Sequence, residues 1–240
     1  MKTVSFIAIT LLAGAIAGTF LSTVNQGLVE PFIERAIALE NQNAAMGGEM
    51  LNPIEFENYR IWQKGGEIAA GTILGTSYGA LFGIVYAFSR DSIPGSSNKK
   101  KALILAAVML VVLFIVPGLK YPANPPAVGD PETIGVRQGL YIAYLSISGF
   151  SALGLAVVYR KLGPIPSKKA IIPAIYAGIM LTAYFALPPN PDAITAPMDL
   201  VISFRLVSGF TISMFWGVLA LILGALWDKT KPHENARITA

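Results

Sequence analysis

The sequence predicts an all-α, polytopic integral membrane protein with six transmembrane helices, and two observations lead to this fold class. The composition is 54% hydrophobic and 13% charged, whereas charged residues make up about 25% of soluble proteins. The charges are also spaced so that six uncharged runs of 18 to 27 residues lie between them. A helix crosses the bilayer with about 20 mainly apolar residues. The runs lack the alternating pattern of barrel strands, so helices are expected.

The six runs place the helices in chain order. Their predicted bounds are 4–24, 67–89, 102–118, 138–159, 170–187 and 203–227. The first run follows Lys2 and contains many small residues, as a cleaved signal peptide does, but its 27 residues exceed the usual signal core. We therefore favour a retained first helix over a cleaved one. No change of composition marks a second domain, so residues 1–240 are expected to form one membrane domain.

The distribution of basic residues predicts the orientation. Alternate connections and the two termini hold 12 bases and three acids, whereas the remaining connections hold five bases and eleven acids. Basic residues collect in the cytoplasmic segments of membrane proteins. We therefore expect a multi-pass protein of the cell membrane, with both termini in the cytoplasm and three loops outside.

The first outer loop, residues 25–66, is the only long one. Pro31 suits the first position of a helix, and the apolar residues that follow through Leu39 predict an amphipathic helix on the membrane or on the bundle. Gly47 and Gly48 should end this helix, and the dipeptide Asn52-Pro53 should form a turn.

A faint internal repeat links the outer starts of the even-numbered helices. Asp130-Pro131 precedes Arg137, and Pro197-Met198-Asp199 precedes Arg205 in a similar way. Repeated units are common in transporters. The chain is therefore either three similar helical hairpins or six unrelated spans, and the sequence leaves both open.

Four glycines form a smooth stripe on the second predicted span. Gly71, Gly75, Gly79 and Gly83 recur every four residues, so one face of the helix carries no side chains. Such a face lets another helix approach closely, and Gly14 and Gly18 of the first span offer a matching surface. We favour structural packing over the alternative of a sliding or pore-lining contact.

The sequence argues against an enzyme and against a bound cofactor. Residues 75–79 fit the nucleophile-elbow pattern, but that pattern needs a strand-to-helix turn and a histidine base, and the single histidine is His233 in the tail. Cysteine is absent, so thiolate metal sites and cysteine nucleophiles are excluded. The net charge of +4 is too small and dispersed for a nucleic-acid surface.

Ionisable residues at the outer helix ends are the first candidate site. A cation at a helix N-terminus opposes the macrodipole and needs an acid, so Asp130 or Glu132 is expected to pair with Arg137, and Asp199 with Arg205. The alternatives are an outer gate and interfacial snorkelling with a structural ion pair. The outer-mouth candidates are Arg137, Gln138, Arg205, Asp130, Asp199 and Glu67.

The acidic first outer loop is the second candidate site. Its carboxylates could collect a hard cation, although a merely solvated acidic loop explains the same residues. The cation-attracting candidates are Glu30, Glu34, Glu40, Glu55 and Glu57. Polar or soft groups expected inside the bundle are Tyr78, Tyr144, Ser146, Ser148, Met180, Ser213 and Met214.

The sequence resembles the CbtA family of cobalt transporter subunits. The residues that carry the resemblance are Met1-Lys2, the string from Leu11 to Gly18, Pro117-Gly118, the prolines 122, 125 and 126 with Gly129, and Arg137-Gln138. The resemblance implies uptake of a divalent transition metal and a small single-span partner of the CbtB type. It also implies a histidine-rich stretch in the first outer loop, where this chain carries carboxylates instead.

The predicted function is therefore a membrane subunit of a divalent-metal uptake system. No phosphate-binding loop of the Walker type is present, so an ion gradient or the membrane potential should drive uptake. A divalent cation gains about 4.6 kcal/mol on moving inward across 100 mV. The alternative is a non-transporting structural or accessory subunit of a larger membrane complex.

Overall fold

A computed structural model describes residues 3–48, 52–126, 128–163 and 165–232, and this part of the chain is helical with no strand. Six of its helices are long and apolar enough to cross a membrane. The prediction of an all-α membrane protein with six spans is confirmed. Some ionisable residues on which the sequence predictions relied lie outside the described residues, namely Lys2, Glu49, His233, Glu234 and Arg237.

We number the helices α1 to α7 in chain order. They are α1 Thr3–Leu28, α2 Glu30–Met46, α3 Pro53–Ser89, α4 Asn98–Lys120, α5 Ile134–Lys161, α6 Lys168–Ala186 and α7 Met198–Thr230. A 3₁₀ turn, Pro131–Thr133, leads into α5. All except α2 are candidate spans.

The segment predicted as a long outer loop is mostly helical. α1 continues to Leu28, α2 ends where Gly48 adopts a left-handed φ of +88°, and α3 begins at Pro53 rather than near residue 67. The Asn52 side chain accepts a hydrogen bond from the Ile54 amide at 3.1 Å and so caps α3. The expected turn at Asn52-Pro53 is therefore a helix start, and nothing after it interrupts the helix.

α3 is longer than a membrane requires. Its 37 residues correspond to about 55 Å at 1.5 Å per residue, against a hydrocarbon core of about 30 Å. The first turns of α3 therefore extend beyond the apolar part of the span.

α4 contains a π-helical turn, Val111–Ile115. Pro117 follows it, has no amide hydrogen, and its ring would clash with the carbonyl of the fourth residue before it. The helix is wider at this turn, and the Val116 amide donates to the Val111 carbonyl, five residues earlier. The span was predicted to end at residue 118, but the helix continues to Lys120.

The chain divides into two compact units, which we describe separately. Unit 1 comprises residues 1–107 and 202–240, and unit 2 comprises residues 108–201. Unit 1 contains α1, α2, α3, the start of α4 and most of α7, with a core that includes Phe82, Tyr86, Phe215, Trp216 and Trp227. Unit 2 contains the rest of α4, α5 and α6 around Tyr121, Tyr144, Met180 and Ala183. The single-domain assignment and the three-hairpin repeat stay predictions.

Candidate functional site

The glycine stripe of α3 lies directly on the backbone of α1. A methyl group added at Gly75 would lie 2.5 Å from the Gly18 Cα atom, and one at Gly79 would lie 2.6 Å from the Gly14 Cα atom. Real Cβ atoms do not approach backbone so closely. The two helices are therefore in backbone contact, as expected for a small-residue interface.

Hydroxyl groups extend this interface toward the ends of the glycine stripe. The Thr19 and Thr72 hydroxyls are 2.8 Å apart and link α1 to α3. Ser22 lies opposite Gly71, Thr10 lies opposite Gly83, and both polar side chains are buried. The stripe is occupied by packed atoms along its length, which favours the structural interpretation over a pore lining.

Two of the predicted cation-attracting carboxylates already have cationic partners within unit 1. Glu30 is buried and pairs with Arg60 of α3, while the Lys64 ammonium lies 2.6 Å from Glu34 Oε1 and 3.5 Å from Glu30 Oε1. The hydrogen bond from Lys64 lowers the pKa of the Glu34 carboxyl. The Glu34–Lys64 pair therefore persists at neutral pH, and together the pairs fasten α2 to the N-terminal part of α3.

The other acidic candidates of this region differ in exposure. Glu40, Glu55 and Glu57 are exposed, and Glu67 Oε2 accepts a hydrogen bond from Gln26 at 2.6 Å. In the described ranges, no three Asp, Glu or His side chains come close enough to hold a metal ion. The acidic segment therefore supplies local negative charge rather than a formed coordination site.

The acid beside Arg137 is Asp192, which the sequence analysis did not consider. Arg137 Nε lies 3.0 Å from Asp192 Oδ2 and also donates to the Thr133 hydroxyl at 3.1 Å. The same Asp192 oxygen accepts the Thr133 hydroxyl at 2.6 Å and the Asp130 amide at 3.0 Å. Asp192 therefore joins the loop after α6 both to α5, through Arg137, and to the segment before α5, through Asp130 and Thr133.

Backbone groups complete the contacts of Arg137. Its Nη1 and Nη2 atoms donate to the carbonyls of Val128 and Asp130 at 3.2 and 3.0 Å. Gly129 has a φ of +93°, and a methyl group there would meet Arg137 Nη1 at 2.7 Å. The Asp130 carboxylate caps the Glu132 amide at 2.9 Å instead of pairing with Arg137. The expected partners Asp130 and Glu132 are thus replaced by Asp192.

Three further outer-mouth candidates lie on α5 and α7, and the expected pairing of Asp199 with Arg205 stays a prediction. Gln138 is exposed beside Arg137 on α5. Asp199 lies in the first turn of α7 and is exposed, and Arg205 follows on the same helix with intermediate exposure.

A chain of polar groups lies halfway along the helices of unit 2. The Ser148 side chain is fully buried, its hydroxyl donates to the Val112 carbonyl at 2.5 Å, and the Tyr176 hydroxyl lies 2.6 Å from it. Ser148 has one proton and gives it to Val112, so Tyr176 must be the donor in the second bond. Val112 belongs to the π turn, so the widened helix contributes a backbone oxygen at this depth.

A second buried hydroxyl lies beside this chain. Tyr144 Oη donates to the Met180 carbonyl at 3.1 Å, and both side chains are buried. Of the polar groups expected inside the bundle, Tyr144, Ser148 and Met180 are therefore in unit 2 at similar depth. Tyr78 instead packs on Phe215 and Trp216 in unit 1. Two further groups of this chain were not predicted. The Val112 carbonyl is available because of the π turn, which leaves no residue pattern of its own, and Tyr176 of α6 becomes recognisable only through its contact with Ser148.

A family model described as "Probable cobalt transporter subunit (CbtA)" matches residues 3–228. The chain belongs to the CbtA family. No curated protein and no solved structure gives a significant match. The family resemblance of the sequence is confirmed, and with it the assignment as a multi-pass membrane protein of a cobalt transporter subunit family.

Proposed function

We propose that this CbtA-family chain carries a cobalt-type divalent cation across the membrane as the membrane-embedded subunit of an uptake system. The observation that carries the proposal is the family match over residues 3–228, together with six helices suited to spanning a membrane. Both termini lie in the cytoplasm in this proposal, as the charge distribution indicates. A small single-span subunit of the CbtB type is the proposed partner.

The polar chain of unit 2 gives the cation neutral oxygen atoms at mid-membrane depth. A divalent ion that sheds water needs oxygen ligands in its place, and polar groups inside membranes commonly mark ion pathways. Three such oxygens belong to the polar chain, in which the Ser148 hydroxyl lies within hydrogen-bonding distance of both the Val112 carbonyl and the Tyr176 hydroxyl. We propose that the cation passes beside this chain.

The membrane potential is the proposed energy source. A divalent cation moving inward gains about 4.6 kcal/mol per 100 mV, which supports about a thousandfold accumulation at about 1.4 kcal/mol per tenfold. This chain has no Walker-type phosphate loop, so in this proposal ATP hydrolysis is not its own contribution.

Cobalt uptake into proteoliposomes tests the proposal. The purified chain is reconstituted with and without the candidate small subunit, a potassium diffusion potential is imposed with valinomycin, and an internal metal-sensitive dye reports entry. We expect Co²⁺ uptake that rises with the imposed potential. Absence of metal flux under all conditions, with stoichiometric co-purification of another membrane complex, would instead support the structural-subunit alternative.

Ser148→Ala is expected to reduce cobalt uptake about tenfold per folded protein, because one hydrogen-bonding group of the polar chain is lost. Uptake in proteoliposomes is the measurement, normalised to the folded fraction from size-exclusion chromatography. The matched control is Ser213→Ala, because the Ser213 side chain is exposed and its hydroxyl donates to the Gly209 carbonyl of its own helix at 2.7 Å. Equal uptake by the two variants would remove the polar chain from the pathway.

A further inference from the structure

We propose that a corner of unit 1 binds the phosphate of an anionic phospholipid. The corner is formed by the end of α3, the start of α4 and the end of α7. Six basic residues belong to it, and we call them the basic corner: Arg90, Lys99, Lys100, Lys101, Lys229 and Lys231. The ligand class is a lipid phosphodiester, bound by the Arg90 guanidinium with the neighbouring ammonium groups.

Arg90 is the centre of the basic corner. Its guanidinium carbon lies 5.8 Å from the centre of the Trp227 ring. Its Nε and Nη1 atoms are buried and donate no hydrogen bond to any group in the described residues. The side chain as a whole keeps 16% exposure, so a ligand can reach it through its atoms other than Nε and Nη1. A charge held among apolar groups attracts an anion more strongly than a solvated charge does.

The acids near Arg90 do not neutralise the basic corner. Asp91 Oδ1 is 3.3 Å from Arg90 Nε but makes no hydrogen bond with it, and the Asp91 side chain is 87% exposed. Asp228 Oδ1 accepts a hydrogen bond from Asn98 Nδ2 at 2.6 Å, and Asn98 also accepts one from Tyr86. Six bases against two acids leave an excess of four positive charges.

Packing fixes the lysines of α4 beside Arg90. The Lys101 ammonium donates to the Arg90 carbonyl at 2.9 Å. A methyl group at Gly224 of α7 would lie 2.6 Å from the Lys99 Cα atom, so the first turn of α4 rests on α7. Three lysines in the first turn of a helix also oppose the macrodipole. We therefore expect a bound anion to offset the positive charge at the start of α4.

The location of the basic corner favours a lipid over a soluble anion as its ligand. The basic corner lies at the ends of three helices that are suited to spanning a membrane, which is the depth of the phospholipid head groups. Phe88, two residues before Arg90, is 72% exposed and offers apolar surface to an acyl chain. Basic pockets between transmembrane helices bind anionic head groups in this way.

Lipid retention in native mass spectrometry tests the proposal on the full chain. The detergent-solubilised protein is titrated with phosphatidylglycerol or phosphatidylcholine, and bound lipids are counted. We expect wild type to retain phosphatidylglycerol about tenfold more tightly than phosphatidylcholine, and Arg90→Gln to lose this preference. Lys161→Gln, which removes one exposed positive charge at the end of α5, should keep it.

A second variant and a competition with inorganic phosphate test whether the basic corner binds lipid. Lys99→Gln combined with Lys100→Gln changes only exposed side chains and should weaken phosphatidylglycerol binding with little change in unfolding temperature. Millimolar inorganic phosphate should not displace the lipid. Equal retention of both lipids by wild type, an unchanged preference in Arg90→Gln and in the double variant, or displacement by phosphate would each overturn the proposal.

Discussion

Gly75→Ala is expected to lower the free energy of unfolding by about 2 to 3 kcal/mol, in line with the cost of inserting a methyl group into a tightly packed core. The new Cβ atom would lie 2.5 Å from the Gly18 Cα atom and 2.6 Å from the Gly14 carbonyl oxygen. Both neighbours are backbone atoms and cannot rotate away. The two helices must separate, and the buried Thr10 and Ser22 would lose part of their packing on α3.

The matched control is Gly217→Ala on α7. Apart from the adjacent residues and the nearby backbone of its own helix, no atom of the described residues lies within 4 Å of a methyl group at Gly217, and alanine is a better helix former than glycine. We expect no loss of stability at this position. Thermal unfolding in detergent, followed by tryptophan fluorescence, measures both variants, since Trp216 and Trp227 belong to the same unit. Similar unfolding temperatures for the two variants would mean that the α1–α3 contact is looser than described.

Much of the fold could be predicted from the sequence because membranes penalise charge strongly. The six uncharged runs correspond to the six candidate spans, and the spacing of Gly14 and Gly18 indicated the partner of the α3 stripe. In both cases the information is local. A run of apolar residues or a four-residue spacing is readable without knowing what folds against it.

The contacts that bring distant segments together could not be predicted in the same way. Asp192 reaches Arg137 from the loop after α6, although Asp130 and Glu132 were closer in sequence. Nothing in the acidic stretch around Glu30 showed that Arg60, one helix later, would neutralise it. Such pairings depend on how helices assemble, and sequence proximity does not determine them.

The charged candidates and the polar chain of unit 2 differ in what they contact. Glu30 and Arg137 form ion pairs between elements, whereas the groups halfway along the helices of unit 2 are neutral hydroxyls and a carbonyl. Within the described residues, no three Asp, Glu or His side chains come close enough to hold a metal ion. The cation route that we propose therefore passes neutral oxygens.

Arg137→Ala is expected to lower the free energy of unfolding by about 2 kcal/mol, and Asp192→Ala by a similar amount. Breaking a fully buried ion pair costs about 3 to 5 kcal/mol, and the Arg137 side chain is 23% exposed, which reduces the effect. Each variant leaves the other charge without its partner. Because the two residues share one interaction, the double variant should lose less than the sum of the single variants.

The double-mutant cycle separates a structural clamp from an outer gate. Unfolding in detergent is measured for both single variants and the double variant, and cobalt uptake is measured per folded protein. A clamp between the two loops predicts a coupling energy of about 1 to 2 kcal/mol and uptake close to wild type in the protein that remains folded. Glu132→Ala, which removes an exposed acid from the same loop, should change stability by less than about 0.5 kcal/mol. An outer gate predicts the opposite result. All three variants would then unfold with free energies close to that of wild type, without coupling between the two sites, and cobalt uptake would be lost. The dense contacts of Asp192 with Arg137, Thr133 and the Asp130 amide favour the clamp.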